Sequence, residues 1–167
     1  MLGHNATIDI QRLAAVAHYV IAKTDPGKLG YIKLNKILWY ADLEHYRWHG
    51  ETITGLRQYS RMPLGPVSRD IFQAVARLVK DGKVAEQAVK VGDSTRREMV
   101  STVPPDVAMF SDEQIDILNQ MMNIIAPLTA SQLSHMTRVD PLWNELKNND
   151  AMSIATGSVI TPPPMSK

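Results

Sequence analysis

The stretch Lys33-Leu34-Asn35-Lys36-Ile37-Leu38-Trp39-Tyr40-Ala41-Asp42-Leu43-Glu44-His45-Tyr46-Arg47-Trp48-His49-Gly50 decides the fold. Leu34, Ile37, Leu38, Ala41, His45 and Trp48 recur at spacings of three and four, so on a helix they share one face. At about 100° per residue they fall within an arc of roughly 100°. Lys36, Tyr40, Leu43 and Arg47 lie on or near the opposite side. No Gly or Pro interrupts the run before Gly50, which stands where a left-handed C-terminal stop is expected. The spacing predicts a central helix with one buried stripe.

On the N-terminal side, Thr7 or Asp9 can cap a first helix reaching about Lys23, with Ile10, Leu13, Val16, Ala17, Val20 and Ile21 as its stripe. Thr24-Asp25-Pro26-Gly27 is a turn. On the C-terminal side, Thr52, Ile53, Thr54 and Tyr59 favour extended chain. Met62-Pro63-Leu64-Gly65-Pro66-Val67 is irregular, because its two prolines lack amide donors. A third helix starts at Pro66 or Ser68, buries Ile71, Phe72, Val75, Leu78 and Val79, and ends near Gly82. Val84 to Thr102 reads as a hairpin reversing at Gly92-Asp93. Ser111 with Gln114, and Thr129 with Gln132, have capping-box spacing, and Asp140-Pro141 opens another helix in which Trp143 and Leu146 are anchors. The expected fold is mostly α: a single compact helical domain with a small β-hairpin, in a winged-helix-like outline. It covers residues 1–157, and residues 158–167, with Pro162-Pro163-Pro164, are expected to be a flexible tail.

With 167 residues the chain is long enough for one domain with a substantial core. A formal net charge of +1 gives no global basic bias of the kind nucleic-acid binders carry. The chain has no cysteine, which excludes disulfides and Cys-ligated zinc. The start, Met1 to Ile10, lacks the basic and apolar regions of a signal peptide, and no segment approaches a membrane span. A cytoplasmic protein without membrane contact is expected.

Candidate chemistry is sparse. Asp42, His45 and His49 sit at i, i+3 and i+7 and could form a metal-dependent hydrolase site. However, His45 lies mid-stripe, where a hydrogen-bonded core histidine is the commoner outcome. No Gly-x-Ser-x-Gly elbow or phosphate-binding glycine loop is present. Ser134-His135 adjacency does not by itself align a nucleophile with a base. Arg57, Arg61, Arg69, Lys80, Lys83, Arg96 and Arg97 spread over a helix and the hairpin, an outline compatible with a DNA-binding regulator. No catalytic residue, cofactor or resident metal is expected, and the chain is expected not to be an enzyme. What remains is a binding surface, placed on the exposed flank of the central helix and the stiff Gly65-Pro66 segment. Trp39, Tyr59, Arg61, Met62, Gly65 and Pro66 are the expected contacts.

Lys33-Leu34-Asn35-Lys36-Ile37-Leu38-Trp39-Tyr40-Ala41-Asp42, then His45 and Gly50, Ile53-Thr54-Gly55 and Gly65-Pro66-Val67, resemble the Panacea domain, the family of SocA-like antitoxins and phage-associated proteins. Leu133-Ser134-His135 and Trp143 match its closing element loosely, so the resemblance covers about positions 8–147. Leu64 departs from it, since an aromatic often precedes the family's Gly-Pro. The resemblance implies a mostly helical antitoxin of a toxin-antitoxin system that neutralises a cognate toxin by direct binding. It also implies two further partners for some members: a cytosolic protease such as ClpXP, to which one relative delivers its toxin, and operator DNA. Lys33, Leu34, Lys36, Leu38, Tyr40, Ala41, Asp42, His45, Gly50, His135 and Trp143 are the family-motif positions. The toxin and the oligomeric state are not implied.

Overall fold

Local signals start and stop most of the helices. The computed structural model describes residues 8–164, so Thr7 as a first cap lies outside the described residues. Asp9 caps α1 (Ile10–Lys23), its carboxylate accepting the N–H groups of Gln11 and Arg12 at 3.1 Å each. After a short 3-10 turn, Pro26–Lys28, comes α2 (Gly30–His49), closed by Gly50 at φ +70°. Strands β1 (Gln58–Met62) and β2 (Gly65–Val67) form a tight pair, and Ser68 then caps α3 (Arg69–Lys80). The hairpin is β3 (Val84–Val91) with β4 (Ser94–Ser101), joined at Gly92-Asp93. Capping boxes open α4 (Asp112–Ile125) and α5 (Ala130–Arg138), and Asp140-Pro141 opens α6 (Pro141–Glu145). The chain then forms β5 (Ala151–Ser153) and α7 (Ile154–Ile160).

The fold is predominantly α with small antiparallel sheets. Besides the hairpin, a three-stranded sheet has the order β2-β1-β5, with Tyr59 opposite Met152. Packing centres on α2, with α4, α7 and β2 against it, while α1 packs on α3 and the base of the hairpin. Among the described residues no helix is long and apolar enough to cross a membrane.

Five expectations need correction. The stretch Met62 to Val67 is not irregular but the turn of the β1–β2 pair, with Met62 opposite Gly65, because Pro66 sits on an edge strand where a missing amide donor is tolerated. The central helix has no exposed flank through its middle: every residue from Leu34 to Leu43 is buried, including Lys36, Tyr40 and Leu43 on the side expected to face water. Neighbours cover it on all sides, so its stripe is only part of its buried surface. Trp48, expected in that stripe, is 73% exposed because it lies beyond the elements that sheath α2. On α3, Ile71, Ala74, Val75 and Leu78 are buried, whereas Phe72 and Val79 are exposed. Both sit at about 80–100° from Ile71, the rim of the expected face rather than its centre. Finally, the region from Gly157 to Thr161 is not a loose tail. It belongs to α7 and its cap, and Arg47 donates to the carbonyls of Ser158 and Thr161.

Gly157 is required by proximity. A Cβ there would lie 2.9 Å from Leu43 Cδ2 and 3.1 Å from the Trp39 ring. Gly157→Val is therefore expected to destabilise the protein by about 1–3 kcal/mol through overpacking. Urea unfolding monitored by tryptophan fluorescence checks this, and an unchanged midpoint would contradict the packing described.

Candidate functional site

Most polar residues of the central helix are committed to holding the fold. Asp42 is fully buried, and its carboxylate accepts four hydrogen bonds: from the N–H groups of Ile53 (2.9 Å) and Thr54 (3.0 Å), and from the hydroxyls of Thr54 (2.5 Å) and Tyr59 (2.9 Å). Burial pushes its pKa up to about 6, and these four donors oppose the rise. Lys36 is buried with no carboxylate beside it, and donates to the Leu133 carbonyl (2.9 Å) and the Thr137 hydroxyl (2.5 Å) of α5. Desolvation lowers its pKa to about 8. Lys33 donates to the Ala126 carbonyl at the end of α4. Asn35 accepts the Ser68 N–H at 2.9 Å and so fixes the entry to α3. Gly65 lies against the Lys36 stem, so close that a Cβ would come within 2.8 Å of Lys36 Cε.

The rings of His45 and His49 lie 4.5 Å apart, but Asp42 does not join them. Asp42 faces the Ile53-Thr54 segment, whereas His45 is buried with Nδ1 2.7 Å from the Glu51 carbonyl. A carbonyl only accepts, so Nδ1 carries the proton, and Nε2 faces the Gln114 amide at 3.4 Å. His49 pairs instead with Glu113 at 2.5 Å. Among the described residues no group of three or more His, Asp or Glu side chains is placed to hold a metal. The hydrolase alternative thus lacks its ligand set. One pair was missed by sequence reading: His18 Nε2 lies 2.9 Å from Ser101 Oγ, over a separation no motif marks. The Ser101 hydroxyl donates to the Val103 carbonyl at 2.7 Å, so its proton is not directed at the imidazole as a nucleophile's would be.

The expected contact residues separate into two groups. Trp39 and Tyr59 are 1% exposed and pack edge to face with ring centroids 5.1 Å apart, so they belong to the core and not to a contact surface. Gly65 and Pro66 are also buried. Arg61 stacks 3.8 Å above the Trp143 ring and donates to the Trp143 carbonyl and to Asn148, tying β1 to α6. His135 is exposed, and Ser134 makes no hydrogen bond with it. Met62, half-buried like Arg61, is the expected contact residue that lines an open cleft. It lines a cleft of about 500 Å³ between the start of α2, strands β1 and β2, and the start of α3.

The cleft is walled by Tyr31, Ile32, Met62, Val67 and Phe72. Tyr31 and Phe72 are in aromatic contact at 5.2 Å between centroids, while Phe72 stays 59% exposed and Ile32 42%. Large apolar side chains are thus left open together around the cleft. The signal for Phe72 was its rim position on α3; nothing local marked Tyr31 and Ile32, which lie just before the recognisable run.

The family model for SocA-like antitoxins with a Panacea domain matches residues 34–144. The chain belongs to this family. Neither the comparison with curated proteins nor that with solved structures gives a match. The Panacea match begins at Leu34 and ends just after Trp143, so β5 and α7, which complete the sheet and cover Trp39, lie beyond it. Within the Panacea region the motif side chains of α2 are the bolts of the domain.

Lys36 makes this testable. Between about pH 8 and the ordinary lysine value of 10.5, the unfolded chain binds more protons at this position than the folded one. Folding stability contributed by Lys36 therefore rises with pH through that window. Urea midpoints measured from pH 7 to 10.5 should show this rise in the wild type, and Lys36→Met should flatten it. Parallel curves for the two proteins would contradict the assignment.

Proposed function

We propose that the protein is the antitoxin of a toxin-antitoxin pair and neutralises its cognate toxin by direct binding, without bond-making chemistry of its own. The observation that carries this reading is the open apolar cleft of Tyr31, Ile32, Met62, Val67 and Phe72 in a member of an antitoxin family. A buried patch with aromatic anchors is what a stable protein interface needs. The polar side chains of α2 are already spent on internal bonds, which leaves the cleft as the better-suited surface. Delivery of the bound toxin to a cytosolic protease is a compatible mode of neutralisation, suggested by the family resemblance, and would have the protein act in the cytoplasm.

A second reading, binding of operator DNA in a winged-helix manner, is favoured by one feature. The outward face of α3 carries Arg69, Gln73 and Lys80, and a projecting hairpin with Lys90 and Arg97 follows it. It predicts a complex with the DNA upstream of its own gene that weakens steeply with salt. No complex at low salt would remove it.

The first reading is tested by co-expression with the neighbouring open reading frame. Wild-type protein should relieve growth inhibition by that product. Phe72→Asp should lose the relief, with the affinity of the purified pair falling roughly tenfold or more. Because Phe72 is exposed, the melting temperature should move by no more than about a few degrees. A neighbour that does not inhibit growth, or relief that survives Phe72→Asp, would contradict this reading.

A further inference from the structure

The cleft states more about its occupant than that it is apolar. Arg69 is the one charged side chain lining it. Among the described residues, Arg69 makes no ion pair, whereas Arg47, Arg77 and Arg96 each pair with a carboxylate. Arg69 is held in place from below: Ser68, the cap of α3, is fixed by its N–H bond to Asn35 on α2. Arg69 thus lines a cleft with apolar walls and has five guanidinium donors unspent on carboxylates of described residues. Glu86 is held across the Tyr31 hydroxyl at 3.5 Å, outside the lining. Asn35, Ser60, Ser68 and Asn149 are further polar residues of the lining, and Asn149 stands apart from the others. It is the one described non-glycine residue with positive φ, at 76°, and its N–H donates to the Arg61 carbonyl at 2.7 Å. Its side-chain amide makes no hydrogen bond to a described residue and can meet a main-chain amide of a ligand.

We infer that the cleft receives a segment of the toxin in which a large apolar side chain stands beside an aspartate or glutamate, the apolar group seated between Phe72 and Met62 and the carboxylate paired with Arg69. The inference rests on the antitoxin reading only for the identity of the segment's owner. Three considerations select this chemistry. The walls offer apolar and aromatic area, which an aliphatic or aromatic anchor fills. A single arginine matches one carboxylate bidentately, whereas a nucleic-acid backbone needs several cations along its length. Seating the anchor removes water around the ion pair, so the charge selects the partner while the apolar contact supplies most of the affinity.

The test uses a random-peptide phage library selected on the full chain, with Phe72→Asp as the subtractive target. The expected consensus is Trp, Phe, Leu, Ile or Met next to Asp or Glu. A selected peptide should bind Arg69→Glu at least about tenfold more weakly than wild type, and its affinity for wild type should fall as salt rises. The same peptide with the carboxylate changed to the amide should bind wild type and Arg69→Glu alike. A consensus without an acidic residue, equal binding by Arg69→Glu, or no peptide retained on wild type would each overturn the inference. The co-expression assay keeps the two proposals apart. Relief of toxicity that persists in Arg69→Glu overturns the carboxylate pairing and leaves the antitoxin reading standing. A neighbour without toxicity overturns the antitoxin reading and leaves the peptide result intact.

Discussion

A buried carboxylate without a cationic partner is the constraint on which this fold depends. Asp42 accepts two main-chain and two hydroxyl donors from Ile53, Thr54 and Tyr59, and through them α2 is tied to the following loop and to β1. Burying an ionised carboxylate is costly unless nearly every lone pair is met, so the loop has little choice of path. Tyr59, fixed by that bond, stands edge-on to Trp39, and Trp39 in turn is covered by Gly157. One polar contact thus sets the position of the strand, an aromatic pair and the C-terminal helix.

The lysines of the same helix work in the opposite sense. Lys33 and Lys36 donate hydrogen bonds to carbonyls in or after helices that arrive late in the chain, α4 and α5. Neutral acceptors avoid the geometric demands of a buried ion pair while still fixing orientation. Lys36 also carries Gly65 on its aliphatic stem, and a side chain at Gly65 would collide with it. The Gly-Pro-Val segment is therefore a structural rest for β2, and its stiffness serves the core first.

The open apolar surface accordingly lies at the periphery. The cleft borrows its rigidity from these bolts: Asn35 sets the start of α3, Gly65 sets β2, and Arg61 over Trp143 sets the far end of β1. A surface held this firmly loses little entropy when a partner seats on it. Most of the cleft's apolar wall, Tyr31, Ile32, Met62 and Phe72, falls outside the family motif, whose Val67 is the one motif residue in that wall.

Caps and periodicity were legible from residues alone because they act within a turn or two of the chain. Ser111 with Gln114, Thr129 with Gln132, Asp140-Pro141 and the Gly92 reversal all read correctly from neighbours in sequence, and Asp9 and Ser68 were each one of two starts that the residues left open. Of the candidate site, Met62 was legible and the rest was not. Burial of Trp39 and Tyr59, exposure of Phe72 and Trp48, and the pairing of β1 with β5 depend on which distant element covers which side of a helix. A stripe reports that one face must be covered; it is silent on whether the other face is covered as well, as happens to α2. That choice belongs to long-range packing, and it decided which apolar residues became core and which were left exposed.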